Sequence, residues 1–168
     1  LFDYRSVDRL ADADAIVALE DPAAIHDVAW EADAEQFVLD ESRGYPYFLQ
    51  QFGKSVWDAA AGPGTITLED ATIGIAEGQQ QLDVGFYSSR WERATRAERE
   101  LLAAMAPDDG KPSRIADVTR RLGKADSRSL GPARANLINK AIDYAPEHGM
   151  IAYTVPGMAD YVRRRTEE

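Results

Sequence analysis

The sequence predicts a mainly α-helical protein with one short β-hairpin near its C-terminal end. Apolar residues recur at three- and four-residue intervals along most of the chain, which is typical of amphipathic helices that pack together. Residues 142–144 and 150–155 are instead short runs rich in β-forming residues, and a loop containing proline and glycine separates them. A helical pattern over residues 130–141 precedes this hairpin. We therefore expect a helical bundle followed by a winged helix-turn-helix with a short β-hairpin wing.

Short helices are predicted for the first part of the chain. Residues 2–7 have the pattern of the last strand or exit segment of something upstream, and residues 12–19 have helical spacing. Asp21 and Pro22 predict the start of a second short helix. Aspartate is a good N-cap, and proline is well tolerated at the first helical position.

Two further helices are predicted on either side of a Gly-Tyr-Pro sequence. Asp33 and Gln36 form a capping-box pattern for a helix over residues 34–42. Gly44 follows at the position where a left-handed C-cap glycine is expected. Pro46 then begins a longer amphipathic helix, so the turn between the two helices is predicted to be tight.

A Gly-Lys-Ser triplet lies inside that longer helix. Gly53, Lys54 and Ser55 resemble the end of a phosphate-binding P-loop, but that motif requires a glycine where this chain has Phe48. No other stretch supplies such a loop. The sequence therefore predicts no site in this chain for a triphosphate or for Mg²⁺.

A connecting helix is predicted to begin at Thr67 with Asp70 and to loosen near Gly78 or Gly85. A second Thr-Glu capping box starts a helix over residues 95–106. We expect three parts in the chain: a helical subdomain over residues 1–64, the connecting helix over 65–94, and a winged-helix domain over 95–168.

The winged-helix order follows from the helices of the last part. Ser113 is the predicted cap of a helix over residues 114–122, and Ser129 is the predicted cap of the helix over 130–141. The hairpin follows, and a last helix is expected over residues 157–165. Helices, turn, helix and hairpin in this order are typical of the winged helix.

Charge divides the chain into two unlike halves. Residues 1–89 contain 4 basic and 17 acidic residues, a net charge of −13, whereas residues 90–168 contain 15 and 12, a net charge of +3. An acidic first half disfavours nucleic acid and anionic membranes as partners, while the second half could approach phosphates.

The chain has no cysteine, which excludes disulfides and thiolate metal sites and fits a cytoplasmic location. No apolar run approaches the ~20 residues of a membrane-spanning helix, and the first residues do not form a signal peptide.

One face of the predicted recognition helix is polar and cationic and is expected to point at solvent or at a partner; it carries Arg128, Arg134, Asn136, Asn139 and Lys140. Together with the preceding helix, the turn and the wing, this face provides candidate DNA contacts. Residues 130–133 offer few groups for reading bases, so we expect contacts mostly with phosphates and weak sequence specificity. A winged helix that binds protein instead remains an equal alternative. The candidate DNA-binding residues are Arg114, Arg121, Lys124, Arg128, Ser129, Arg134, Lys140 and His148.

No catalytic site is predicted in this chain. His26 and His148 are far apart in sequence and lack the spacing of metal ligands, and the carboxylates are scattered over helix faces. We therefore expect no enzymatic activity from the chain by itself.

Three stretches of the chain resemble a known family: RGYPYFLQ at residues 43–50, FYSSRWERATRAERELLAAM at 86–105, and SLGPARANLINKAIDYAPEHGMIAYTVPGMADYVRR at 129–164. In these stretches the chain is similar to the C-terminal part of bacterial and archaeal AAA+/STAND-type ATP-binding proteins, relatives of the origin-recognition ATPases. In that family a P-loop core is followed by a helical lid and a winged helix. The resemblance implies that residues 1–64 are the lid and that ATP or ADP with Mg²⁺ is held by an upstream core.

The resemblance also implies a nucleotide contact in the lid. Gly44, Tyr45 and Pro46 match a Gly-x-Pro whose proline lies against the adenine, so the lid would respond to the bound nucleotide. Tyr47 stands where some lids carry an arginine for the γ-phosphate. The alternative for Gly44 and Pro46 is a simple turn between helices.

The expected function is therefore the regulatory and recognition end of a P-loop ATPase, with a partner core, DNA as ligand, no membrane, and possible oligomers. One alternative is a STAND-type signalling ATPase whose winged helix binds protein or holds the ATPase closed. Another is a free-standing transcription regulator.

Overall fold

The computed structural model describes residues 9–62 and 64–167 and confirms the mainly helical fold class. Cα packing divides the chain into two compact units, which we call unit 1, ending at Leu82, and unit 2, beginning at Asp83. This boundary lies inside the predicted connecting segment, and the predicted division into residues 1–64, 65–94 and 95–168 stays a prediction. The strand or exit segment predicted for residues 2–7 lies outside the described residues.

The described residues of unit 1 form four helices and one pair of very short strands. Its elements are α1 (Asp12–Ala24), β1 (Ala29–Trp30), α2 (Ala32–Ser42), α3 (Pro46–Ala59), β2 (Thr65–Ile66) and α4 (Leu68–Gln81). Its core is apolar and includes Leu19, Val38, Phe52, Val56 and Ile66. The helical bundle predicted for this part of the chain is confirmed, with the strand pair as an addition.

The strand pair fixes where α2 begins. β1 and β2 are parallel, with Ala29 opposite Thr65 and Trp30 opposite Ile66. The Glu31 N–H donates to the Ile66 carbonyl at 2.9 Å, which holds Glu31 extended, so α2 starts at the next residue with Glu31 as its N-cap. The predicted cap at Asp33 is therefore wrong, and its carboxylate accepts the N–H of Ala34 instead.

Helix α1 continues through the predicted break at Asp21 and Pro22. Both residues lie inside α1, which ends only at Ala24. Ala15, Leu19 and Ala23 form a buried stripe at four-residue spacing that extends past the proline. Burial of this stripe outweighs the backbone hydrogen bond that proline removes in the last turn, so no second helix starts there.

Helices α3 and α4 pack closely in unit 1. Pro46 is in the first turn of α3, and Thr67 with Asp70 forms a complete capping box on α4, both as predicted. Gly53, Lys54 and Ser55 lie in the middle of α3, which confirms that they do not form a P-loop.

Unit 2 has the element order of a winged helix. After a π-helical segment, Leu82–Tyr87, its elements are α5 (Ser88–Glu92), α6 (Arg96–Met105), β3 (Ser113–Arg114), α7 (Ile115–Arg121), α8 (Gly131–Asn139), β4 (Asp143–Tyr144), β5 (Met150–Tyr153) and α9 (Met158–Glu167). The predicted loosening near Gly85 corresponds to the π-helical segment.

The sheet of unit 2 has three antiparallel strands in the order β3-β5-β4. Hairpin β4-β5 is the predicted wing, and residues 145–149 form its loop. β3 pairs with the edge of β5 that β4 does not occupy, and Ser113 lies opposite Ile151. The winged helix-turn-helix with a hairpin wing is therefore confirmed.

Two predicted serine caps are wrong in unit 2. Ser113 is buried in β3 because this segment pairs with β5, and α7 begins two residues later with Arg114 as its N-cap. Ser129 lies inside a 3₁₀ turn, Ser127–Leu130, that is capped by Asp126 through a 2.8 Å bond from the Arg128 N–H. α8 therefore begins at Gly131.

Helix α9 and the residues just before it pack against Tyr87 of the π-helical segment. The Tyr87 hydroxyl donates to the Pro156 carbonyl at 2.9 Å, and the Tyr87 ring stacks on Tyr161 with 5.4 Å between centroids. Gly157 has a φ of +76°, and a side-chain carbon there would collide with the Tyr87 hydroxyl.

No helix in residues 9–62 or 64–167 is long and apolar enough to cross a membrane.

Candidate nucleic-acid interface

The solvent-facing side of α8 carries small, uncharged side chains. Leu137 is the buried anchor of this helix, whereas Pro132, Ala135, Asn136 and Asn139 are exposed. An asparagine amide can hydrogen-bond to a base edge or to a phosphate, but alanine and proline offer only shape. The face of α8 therefore supplies few groups for reading a DNA sequence, as predicted from residues 130–133.

Three of the predicted DNA-binding cations are exposed on the elements that precede α8 in the chain. Lys124 and Arg128 are in the turn between α7 and α8, and Arg114 is on β3, next to the wing. Within the described part of the chain, Arg114 and Lys124 have no side-chain hydrogen bond or ion pair, and Arg128 pairs with Asp126 at 2.5 Å while staying 91% exposed. These three side chains can reach a phosphate without breaking a buried contact.

The remaining predicted residues at the turn and the wing have smaller roles in the structure. The Ser129 hydroxyl donates to the Asp126 carbonyl at 2.6 Å, so it stabilises the turn. His148 is exposed in the wing loop, where Gly149 has a φ of +78°. Lys111 was not among the predicted DNA contacts, but it is exposed in the loop before β3. Its position next to Pro112, in a predicted loop, is the sequence feature that could have identified it as an exposed cation.

Arg121 holds a loop in place through an ion pair. Its guanidinium donates to both carboxylate oxygens of Asp108 at 2.6 and 2.7 Å and to the Ala104 carbonyl at 2.8 Å. The hydrogen bond from Arg121 is the main cause that lowers the pKa of Asp108 below its ordinary value. A phosphate would have to compete with this bidentate contact, so Arg121 contributes first to the structure of unit 2.

Arg134 is directed at the sheet instead of the solvent. It is half-buried, and its guanidinium donates to the Met150 carbonyl at 3.2 Å, which ties α8 to β5. The solvent-facing stripe predicted for this side of α8 is therefore wrong at Arg134, because the first residue of β5 lies within its reach.

Lys140 forms a partly buried ion pair with the first turn of α6. Its ammonium donates to Glu98 at 2.6 Å and to the Arg93 carbonyl at 2.9 Å, and Arg93 in turn donates to the Lys140 carbonyl at 3.3 Å. Glu98 is 1% exposed and Lys140 28%. Burial by itself raises the pKa of Glu98, but the Lys140 and Thr95 hydrogen bonds together bring that pKa below its ordinary value. The expected solvent orientation is therefore wrong for Lys140 as well.

We expect Lys140→Ala to destabilise unit 2 by about 3 kcal/mol, because it leaves the buried Glu98 carboxylate without its cation. Thermal unfolding followed through the fluorescence of Trp91, in a chain that also carries Trp30→Phe and Trp57→Phe, measures the effect. Lys124→Ala removes an exposed cation and is expected to change the free energy of unfolding by less than about 0.5 kcal/mol. Equal effects of the two substitutions would contradict a structural role for Lys140.

The Gly44-Tyr45-Pro46 segment forms a tight turn between α2 and α3. Arg43 and Gly44 both have left-handed backbone conformations, with φ of +51° and +69°. The Gly44 carbonyl accepts the Leu10 N–H at 2.9 Å, and a side chain at Gly44 would press on the Leu10 carbonyl oxygen. The three residues are half-buried, and the Tyr45 ring contacts Phe48 edge-on at 4.9 Å. The turn thus has a local structural reason, and its contact with nucleotide stays a prediction.

Comparisons with known proteins match part of the chain. Residues 84–162, all of which lie within unit 2, match a family described as a domain of unknown function (DUF8462), which is just under half of the chain. No curated protein matches the sequence. Among solved structures, a RuvB mutant from Thermotoga maritima is similar at 18% identity and a TM-score of 0.41, over 90% of this chain and 51% of that one. The chain thus spans about half the length of that protein.

The structure leaves part of the predicted interface exposed. Arg114, Lys124, Arg128 and His148 are exposed on the winged helix, whereas Arg121, Arg134 and Lys140 are engaged inside unit 2. The DNA contacts of all eight residues stay predictions. Within residues 9–62 and 64–167, no three histidine or acidic side chains are grouped closely enough to hold a metal ion.

Proposed function

We propose that unit 2 is a winged helix that binds duplex DNA through its phosphates, as the recognition end of a P-loop ATPase. The observation that carries this proposal is the winged-helix order of α6, β3, α7, α8 and hairpin β4-β5. In this architecture the second helix of the helix-turn-helix faces the major groove, and the wing and turn lie over the backbone. Arg114 lies on β3, which pairs with the wing, and Lys124 and Arg128 lie in the turn, so they are the proposed phosphate contacts.

The salt dependence of DNA binding tests this proposal. Three phosphate contacts predict that log K falls with log salt at a slope of about −2.7, because each neutralised phosphate releases its condensed counterions. We expect the triple variant Arg114→Ala, Lys124→Ala, Arg128→Ala to flatten this slope nearly to zero. Fluorescence anisotropy of a labelled duplex titrated with the full chain at several salt concentrations is the measurement.

A variant with the same loss of charge controls for the overall field of the protein. Arg96→Ala, Arg164→Ala, Arg165→Ala removes three cations from α6 and α9 and should leave the slope within about one of the parent value. If both triple variants lower binding equally, the interaction is a general charge effect and the proposed surface is wrong.

The ATPase part of the proposal rests on the resemblance at Gly44, Tyr45 and Pro46 and on the helical bundle that carries them. ATP or ADP with Mg²⁺ would be held by an upstream core, and Pro46 would lie against the adenine. The reading frame ahead of Leu1 tests this directly. It should encode a strand, a phosphate-binding loop and an acidic strand that supplies a metal ligand.

Protein binding by the winged helix is the second candidate function. The exposed face of α8, with Pro132, Ala135, Asn136 and Asn139, carries no charge and favours this alternative. A chain that shows no measurable binding to duplex DNA at low salt would favour a STAND-type signalling role over DNA recognition.

A further inference from the structure

A groove between α1 and α3 in unit 1 has no assigned role. It encloses about 310 Å³ over a floor that includes Leu19, Leu49 and Gly53. Trp30 and Trp57 are the large side chains at its wall. Trp57 also lines a second cavity of about 290 Å³, so two depressions share the same indole ring.

Apolar side chains are exposed around this groove. Trp57 is 39% exposed and Ile25, directly after α1, is 80% exposed. The Trp57 ring rests against His26 with 5.6 Å between ring centroids, so it is held in place at the surface. An exposed, ordered tryptophan between two apolar depressions has the composition of a helix-binding groove.

One lip of the groove is acidic. Ala18 lines the groove, and Asp14 and Asp21 lie on the same stripe of α1, four residues before it and three residues after it. α1 contains no basic residue. On the opposite lip the cation of Lys54 is neutralised by an ion pair with Asp58. A ligand in the groove therefore meets negative charge along α1.

We propose that this groove binds an amphipathic helix of a partner protein that places apolar anchors in the two depressions and basic residues against Asp14 and Asp21. Charge complementarity selects this occupant. The described residues of unit 1 contain 3 basic and 14 acidic residues. This charge repels the equally acidic unit 1 of a second copy, nucleic acid and anionic lipid. It attracts a basic segment, and a helix lays successive anchors along a groove at four-residue spacing.

The three tryptophans provide the test. The probe is an 18-residue leucine/lysine peptide patterned as an amphipathic helix, added to the ¹⁵N-labelled full chain. We expect the indole N–H signals of Trp30 and Trp57 to shift and that of Trp91, in unit 2, to stay in place. Trp57→Ala should weaken binding about tenfold or more, because a buried tryptophan contact is a typical hot spot.

Matched controls separate the groove from general attraction to an acidic protein. Asp14→Asn with Asp21→Asn should weaken peptide binding several-fold, whereas Asp33→Asn with Asp40→Asn on α2 removes the same charge and should not. A scrambled leucine/lysine peptide that lacks an apolar face should not shift Trp30 or Trp57. Circular dichroism establishes that the Trp57→Ala variant is folded, and Trp57→Phe provides a second variant if it is not.

The proposal is overturned by any of three results: equal binding to the parent and Trp57→Ala chains, equal binding of the scrambled peptide, or a shift of all three indole signals. Equal weakening by the two aspartate pairs would likewise leave only a general charge effect. None of these readouts depends on DNA or on an ATPase core.

Discussion

Asp143→Asn is expected to stabilise unit 2, by an amount that grows as the pH rises from 5 to 8. Asp143 begins β4 and is 1% exposed, and neither of its carboxylate oxygens has a hydrogen-bond partner among the described residues. Burial raises the pKa of this carboxyl from 3.8 to about 8. Its cross-strand neighbour is Tyr153, whose hydroxyl donates instead to the Leu102 carbonyl at 2.7 Å.

The sign follows from proton binding. Between pH 4 and pH 8 the folded chain keeps the Asp143 proton while the unfolded chain has released it, so folding is favoured by low pH. This contribution is complete below the unfolded pKa and is lost as the pH rises toward the folded pKa, at up to about 1.4 kcal/mol per pH unit. From pH 5 to pH 8 the parent chain should lose about 4 kcal/mol from this group, and the asparagine variant should not.

Thermal unfolding across this pH range is the measurement, monitored through the fluorescence of Trp91 in a chain that also carries Trp30→Phe and Trp57→Phe. Glu147→Gln removes an exposed carboxylate from the wing loop and is the control, with a pH dependence expected to match that of the parent chain. A constant difference in melting temperature between parent and Asp143→Asn from pH 5 to pH 8 would contradict a neutral, buried Asp143.

Gly74→Ala is expected to destabilise unit 1 by about 3 kcal/mol or more. A side-chain carbon at Gly74 would lie 2.5 Å from the Val56 nitrogen and 2.8 Å from the Ser55 carbonyl carbon, and it would overlap the Val56 Cα. These are backbone atoms of α3, so no rotamer change can make room and the two helices must move apart. The better helix propensity of alanine offsets only about 1 kcal/mol of this cost.

Gly85→Ala is the matched control. Gly85 lies in the π-helical segment, and a side-chain carbon there meets no atom within 4 Å among the described residues. The substitution should be neutral or stabilising by less than about 1 kcal/mol. Urea unfolding of the full chain, monitored by circular dichroism of the helices of both units, measures both variants. Similar free energies of unfolding for the two would show that α3 and α4 do not need the glycine.

The architecture could be predicted because its signals are local. The capping boxes at Thr67 and Thr95, the proline at the start of α3 and the hairpin loop each depend on residues a few positions apart, and all four are present. Two of the predictions that failed depend on distant partners. β3 forms at Ser113 because β5 lies beside it, and Glu31 caps α2 because Ile66 holds its backbone.

The candidate site followed the same division. The exposure of Lys124 and Arg128 could be predicted from their positions between two predicted helices. Arg114 was predicted at the start of a helix and is exposed on β3 instead. The sequence gives no sign that Lys140 meets Glu98, a partner far away along the chain, or that Arg134 meets Met150. Charge counts therefore overstated the number of cations available to a phosphate backbone.

The contacts of Lys140 have a mechanical consequence for α8. The end of this helix is fastened to the start of α6 by the Glu98 ion pair and by two hydrogen bonds exchanged with Arg93. α8 cannot slide or tilt without straining these three links, so a load applied to its outer face is transmitted to Arg93. Displacement of α8 by a bound ligand would therefore also displace the segment that enters α6.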